Sequence, residues 1–427
     1  MVWTSPRQVA AMGTDFKYLI LDHGDEVKKN RYEYIEPFIA RVETQSDSVP
    51  PDVVWNLPLQ ANEYPYYNII SDDHLTYMPG SGQIKDWKFR KYTPVFDMED
   101  RHYDRRYICY PGLGMGVADE GLHSLDIIIP GPAGNDVKAI AFKDGGFIWT
   151  GGESDIRDGG ISLFDRETGR WQRFDAELTQ GLESHRIRDI LTYNDRIYFA
   201  SAAGLTILQP DAERWKTLDR FNGLTGPGLR VLAAVSGQLF MGGDQGVNIM
   251  TLPQGLIYSS GDEIVDEMAC ADITAEGDTV WIAGMAGVYR WDPLNEWQRI
   301  GAEEPIVGDE AARCIDVHHN RLWIGGRRGL REFNRRTGTW RGWPAGTYLR
   351  GSAAVSLESN DSLLWVGTTR GLFVLNYRKG SWLSYEGEIG LPQTAIQTLA
   401  LEADSLWLGT SQGLTRFIWN RPERDVF

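Results

Sequence analysis

The chain has 427 residues, 42% hydrophobic and 24% charged, and its 43 Lys and Arg against 59 Asp and Glu give a net charge of −16. That length exceeds what one ordinary hydrophobic core serves, so the chain holds several domains or one architecture that grows by adding units. The negative field argues against nucleic acid and anionic lipid as partners, and no apolar run reaches membrane-spanning length.

The 47 glycines and 16 tryptophans lean the chain towards β structure with many turns. Cys109, Cys270 and Cys314 stand far apart and show no Cys/His metal spacing. The start, MVWTSPRQVAAMGTDFKY, lacks the basic residues and apolar core of a signal peptide.

Residues 1–50 stand outside the pattern that organises the rest. Within them DFKYLILDHGDEVKKNRYEYIEPFIARV alternates apolar and charged positions, which suits an N-terminal arm: a hairpin, a closing strand or a docking segment. Residues 51–133 carry two degenerate repeats, with Tyr66 in YPYYNII and Tyr107 in RRYICY as their aromatics. Gly121-Leu122, Trp87 in IKDWKFRKY, and apolar runs at Val53 and Val95 fall near the same beat.

From 134 to 427 the beat is regular. An aromatic inside a short apolar run recurs as Trp149, Tyr198, Phe240, Trp281, Trp323, Trp365 and Trp407, at intervals of 49, 42, 41, 42, 42 and 42. A Gly-Leu, Gly-Val or Gly-Ile pair follows each, at Gly160, Gly204, Gly246, Gly287, Gly329, Gly371 and Gly413. A second aromatic follows as Trp171, Trp215, Tyr258, Trp297, Trp340 and Trp382. An apolar stretch precedes each unit, as in VKAIAF (137–142) and LRVLAAV (229–235), so a unit reads as four short strands joined by tight turns.

Such a unit is a β-propeller blade. One small sheet cannot bury both faces, so blades stack around an axis, with the aromatic supplying area between them. The Gly or Ala two positions on points to the same face and is expected to leave room for the neighbouring blade's aromatic. The fold class is therefore all-β: a propeller of four-stranded blades with a period of about 42 residues. Seven clear blades (134–427) and two degenerate cassettes (51–133) leave a ring of seven, eight or nine open.

The stretch LWVGTTRGLFVLNYRKGSW…GLPQTAIQTLALEADSLWLGTSQGLTRF resembles the two-component regulator propeller repeat. The resemblance rests on Trp365/Gly367/Thr368, Gly371-Leu372, Gly390-Leu391-Pro392 and Trp407/Gly409/Thr410. It implies an extracytoplasmic (periplasmic or cell-surface) sensory propeller that binds carbohydrate or serves as an interaction platform. No kinase or DNA-binding segment follows the repeats, which end at FIWNRPERDVF.

Residues that would carry chemistry are sparse. The chain has no HExxH or GxSxG, and its glycines follow the blade register, not a phosphate cradle. No catalytic residue, metal or cofactor is expected. His318-His319 reads as a turn. His185, in GLESHRI between blades, is the best single ligand-binding candidate, joined by Phe221 and Tyr348 in inter-blade loops.

Two equivalent acidic loops carry Asp262, Glu263, Asp266 and Glu267 in one and Glu303, Glu304, Asp309 and Glu310 in the other. They suit a cation, a basic partner or a solvated rim. Arg327, Arg328, Arg331, Arg335 and Arg336, with Arg341 and Arg350, crowd the next blade. They suit a partner interface or edge protection against aggregation. The expected function is a non-enzymatic binding or scaffold module mediating protein–protein interaction in a larger assembly. The alternatives are a carbohydrate or small-ligand sensor, and a propeller lyase or hydrolase.

Overall fold

The 42-residue beat becomes seven four-stranded antiparallel sheets arranged in a ring. The computed structural model describes residues 131–419 except 144–145, 154–159, 175, 177–178, 295, 302–310, 386–394 and 412, and before residue 131 only the backbone of the strands. Blade 1 is Val137–Lys143, Phe147–Gly152, Ile161–Asp165 and Trp171–Phe174, in that order from the axis outwards. Blades 2 to 6 repeat the meander at 187–218, 229–259, 270–300, 314–344 and 354–385.

Blade 7 is made differently. Ile396–Glu402, Ser405–Thr410 and Gly413–Ile418 supply three strands, and Val2–Trp3 pairs antiparallel with the last of them to supply the fourth. The chain's first residues thus belong to the same compact unit as residues 132–427, and they close the ring. Closure also rests on Arg166 of blade 1, whose guanidinium grips Glu402 of blade 7 through two hydrogen bonds of 2.9 and 2.5 Å. Phe142 and Trp407 meet across the same junction with ring centroids 6.4 Å apart.

The core lies between blades. Trp323, Trp365 and Trp407 are among the largest fully buried side chains, and each second strand is buried along nearly its whole length. The small residue two positions after the aromatic makes room for something other than the expected neighbouring aromatic. A Cβ at Gly151 would strike Ile187, at Gly242 Cys270, at Gly367 Ile396, and at Gly409 Val137. Each of these is the first residue of the next blade's inner strand. The inner strand is the part of the neighbouring sheet that comes closest, because blades converge towards the axis; the aromatics pack further out.

Ser5–Gly131 forms a second compact unit. It contains a hairpin (Gln8–Met12 with Leu19–Asp22), a four-stranded meander from Ile69–Ile70 to Lys91–Pro94, and a five-stranded sheet. That last sheet is a meander from Phe96–Asp100 to Leu125–Ile128 with Val54–Asn56 added on one edge. The ring itself therefore holds seven blades, and the cassettes of 51–133 lie in the other unit.

Because strand direction alternates outwards from the axis, connections sort onto two faces. Turns from inner to second strand and from third to outer strand lie on one, here the turn face. Turns from second to third strand and the connections between blades lie on the other, the loop face.

Candidate partner-binding face

Around the axis, carboxylates and hydroxyls tie blade 2 to 3 and blades 4 to 7 in succession. Asp189 of blade 2 accepts Leu232 N–H of blade 3 at 2.7 Å, Asp272 of blade 4 accepts Ile315 N–H of blade 5 at 2.8 Å, and Ser356 of blade 6 accepts Leu399 N–H of blade 7 at 3.1 Å. Asp316 accepts the Ser359 hydroxyl. Burial beside the axis raises Asp189 to about 7, Asp272 to about 8 and Asp316 to about 6, against the N–H and O–H donors that pull them down. Glu358 is raised as well, by burial and by Asp316 and Asp272. Asp189, Asp272 and Asp316 are latches of the ring, each with a donor supplied by the neighbouring blade.

The loop face of blades 2 to 4 is different in character. Residues 219–228 carry a one-turn 3-10 helix, Arg220–Asn222, capped by Asp219, whose side chain accepts Phe221 N–H. That turn holds the Phe221 ring outward, 97% exposed. In the next inter-blade loop, Asp262 caps the helix Glu263–Glu267 by accepting Ile264 N–H and Val265 N–H, both at 3.0 Å. Val265 enters the core and Ile264 faces solvent, 50% exposed. Met285, in the second-to-third turn of blade 4, is 70% exposed.

Hydrogen bonds join these three loops into one rim. Thr225 Oγ1 donates to Gln245 O at 2.9 Å, linking the Phe221 loop to the blade 3 turn. Gly246 N–H then donates to Met268 O, and Met285 N–H to Ala269 O, each at 3.2 Å. An exposed apolar side chain therefore stands on each of three connected loops, and acidic groups stand among them. Glu263 and Glu267 are exposed, whereas Asp262 caps the helix and Asp266 accepts Ser260 N–H at 2.7 Å.

The other sequence candidates scatter. His185 lies half-buried on the loop face between blades 1 and 2. Tyr348 ends the short helix Ala345–Tyr348 and packs half-buried against Trp343 and Trp382, at 5.1 and 5.4 Å between centroids. Glu303, Glu304, Asp309 and Glu310 lie outside the described residues.

The arginines of blade 5 do not make one patch. Arg327 and Arg328 sit on the loop face, Arg335 and Arg336 on the turn face, and Arg331 between them, because the strand Gly329–Asn334 crosses the blade. Arg335 is engaged inside the chain, pairing with Glu276 of blade 4 and lying over Trp281. Ile264 and Met285 escape a sequence reading that looks for charge and aromatics. A signal exists for Met285: the same two-residue turn is Asp244-Gln245, Arg327-Arg328 and Thr369-Arg370 in other blades.

No family model and no curated protein matches the sequence. Solved structures match its shape. The extracellular domain of a putative one-component system from B. thetaiotaomicron is 15% identical, with a TM-score of 0.56, covering 82% of this chain and 57% of its own. PorZ, an essential bacterial surface component of the type-IX secretion system of Porphyromonas gingivalis, is 14% identical, with a TM-score of 0.58, covering 82% and 62%. Virginiamycin B lyase from Staphylococcus aureus is 12% identical, with a TM-score of 0.52, covering 66% and 93%. The chain thus spans less than two thirds of the first two proteins and most of the lyase. At these identities the likeness is one of fold, and the chain is a seven-bladed β-propeller.

Proposed function

We propose that this propeller is a non-enzymatic binding module that docks a protein partner on the loop face of blades 2 to 4. The observation that carries the reading is the run of outward Phe221, Ile264 and Met285 on three hydrogen-bonded loops. Apolar side chains grouped on one face of a soluble protein mark contact surfaces. Glu263 and Glu267 among them favour a partner segment with an apolar anchor flanked by Lys or Arg. An extracytoplasmic setting belongs to the same reading, supported by the sensory repeat that residues 363–417 resemble and by the extracellular and surface proteins of like fold.

The test is selection from a displayed library of proteome-derived peptides. Enriched peptides should be basic with an apolar anchor, and should lose binding to a Phe221→Asp, Met285→Asp variant of unchanged thermal midpoint. No enrichment, or binding that survives both substitutions, would overturn the proposal.

A second reading is favoured by one feature: exposed Phe221 follows Arg220 in the chain, and the Arg220 guanidinium donates to the Gln245 side chain at 3.4 Å. An aromatic face next to polar groups suits a sugar ring. A glycan panel that raises the thermal midpoint of the wild type and not of Phe221→Ala would select this reading over a protein partner.

A further inference from the structure

On the opposite, turn face, three side chains from blades 5 and 6 converge. Asp361 Oδ1 lies 2.9 Å from His318 Nε2 and 3.2 Å from His319 Nε2, and one ligand atom from each residue falls within 4.8 Å of the others. We propose that His318, His319 and Asp361 form a binding site for a divalent transition-metal cation of the zinc class.

Consecutive residues of a strand point to opposite faces, so adjacent histidines do not ordinarily share a target. Here they do, because His319 adopts a left-handed backbone, φ +52°. The two imidazoles stand 4.2 Å apart between centroids and tilt by 43°, both directed at one carboxylate oxygen. Histidine, with asparagine and aspartate, is among the non-glycine residues that enter the left-handed region most readily. The equivalent turn position is also left-handed at Asn194, Ser236, Gly277 and Ala403 in other blades, so the backbone is shared blade geometry and what is particular to blade 5 is the pair of histidines set on it.

The left-handed residue is held by its surroundings. Glu276 of blade 4 accepts His319 N–H at 2.6 Å, and Arg335 Nη1 donates to His319 O at 2.6 Å. The carboxylate's loop is held as firmly. Arg378 Nε donates to Asp361 O at 2.8 Å, and the Asn360 side chain accepts Ser362 N–H and Leu363 N–H, both at 2.9 Å. Tyr377 OH donates to Asn360 O. The backbone that presents the ligands from two different blades is thus fixed, while the His319 and Asp361 side chains stand exposed at 71% and 66%.

The chemistry of the donors suits the ion. Imidazole nitrogens with one carboxylate form a borderline donor set for zinc, nickel, copper or iron, not for magnesium or calcium. Tetrahedral zinc with bonds of about 2.0–2.1 Å sets its ligands about 3.3 Å apart. The two histidine–carboxylate distances of 2.9 and 3.2 Å lie near that spacing, and the two imidazoles, whose ligand atoms lie within 4.8 Å of each other, would draw together on binding by side-chain rotation. A cavity of about 340 Å³ opens beside the three groups, so the position that protein ligands leave vacant faces accessible space. Three arginines line that cavity: Arg378 donates to the Asp361 carbonyl, Arg321 is directed to Glu332 and the Tyr377 ring, and Arg336 stands on its wall.

The experiment uses the full chain, stripped with chelator and titrated with Zn²⁺ in a calorimeter, with bound metal counted by mass spectrometry. The wild type should take up one equivalent at this site with micromolar affinity. His319→Asn keeps a residue that tolerates the left-handed backbone, and Asp361→Asn keeps the side-chain shape. Each should weaken binding by about tenfold or more, while His185→Ala leaves it unchanged. Loading with Co²⁺ gives a second readout, a visible ligand-field spectrum that His319→Asn should alter. Absence of Zn²⁺ uptake by the wild type would overturn the site, as would unchanged uptake by both variants.

Discussion

Gly367 offers the sharpest test of how neighbouring blades fit. A Cβ at that position would stand 2.8 Å from Ile396 Cγ2, 3.3 Å from Ile396 Cβ and 3.5 Å from Leu399 Cδ1. Non-bonded carbons settle about 3.5–4.0 Å apart, so Gly367→Ala drives the new methyl about 0.7–1.2 Å into the next inner strand. Overpacking of that size costs about 1–3 kcal/mol. For a domain of this size each kcal/mol lowers the thermal midpoint by roughly 2–4 °C. Ile396→Ala removes the clashing Cγ2 and, alone, costs about 2–5 kcal/mol through the cavity it leaves.

The double variant should cost less than the sum of the singles, by about 1–2 kcal/mol, because the new methyl enters the space that Ile396 vacates. Scanning calorimetry of the four proteins measures this. Additivity within about 0.5 kcal/mol would mean that the two positions do not meet and that the blades are not packed as described. Gly409→Ala should be worse than Gly367→Ala. Its Cβ would meet the Val137 carbonyl oxygen of blade 1 at 2.5 Å, and a backbone atom cannot turn aside.

Three further outcomes follow from the ring. Asp189 and Asp272 are raised from 3.8 to about 7 and about 8, so the fold binds their protons more tightly than the unfolded chain does. Their contribution is complete below the ordinary carboxylate range and lost as pH rises through those values, so the thermal midpoint should fall between pH 5 and pH 8.5. Asp272→Asn should flatten that fall, with Asp189, Asp316 and Glu358 supplying the remainder; an unchanged slope would contradict the assignment. Arg166→Ala should cost about 1–3 kcal/mol by freeing Glu402, measured by urea unfolding, and a neutral result would remove this pair from the closure. Deleting residues 1–4 should leave Gly413–Ile418 as an unpaired edge. The expected result is a lower thermal midpoint and concentration-dependent association in ultracentrifugation; a monomer of unchanged stability would exclude the closing strand.

Much of the ring was legible because blade packing imposes a residue type at fixed spacing. The aromatic of the second strand and the Gly pair opening the third recur, since each blade solves the same burial problem, whereas no spacing marks Val2–Trp3 as the strand that pairs with Gly413–Ile418. What spacing could not give was the partner of each small residue. Gly151 or Gly367 reports only that something comes close, and the convergence of inner strands decides that it is Ile187 or Ile396. The arginines of blade 5 are near in sequence, yet a six-residue strand carries them to opposite faces. His318 and His319 read as turn residues and stand where the inner strand turns into the second; what spacing could not show is that Asp361, on the turn of the next blade, lies within reach of both. Ile264 was hidden by the acidic residues around it, and only the helix cap at Asp262 shows that it faces outward while Val265 faces in.

Native mass spectrometry of the chain isolated at its natural abundance would decide most directly whether the loop face of blades 2 to 4 is a docking surface. A defined complex that is absent from a Phe221→Asp, Met285→Asp variant of equal thermal stability is the expected result. A bare monomer from the wild type, or a complex that survives both substitutions, would contradict it.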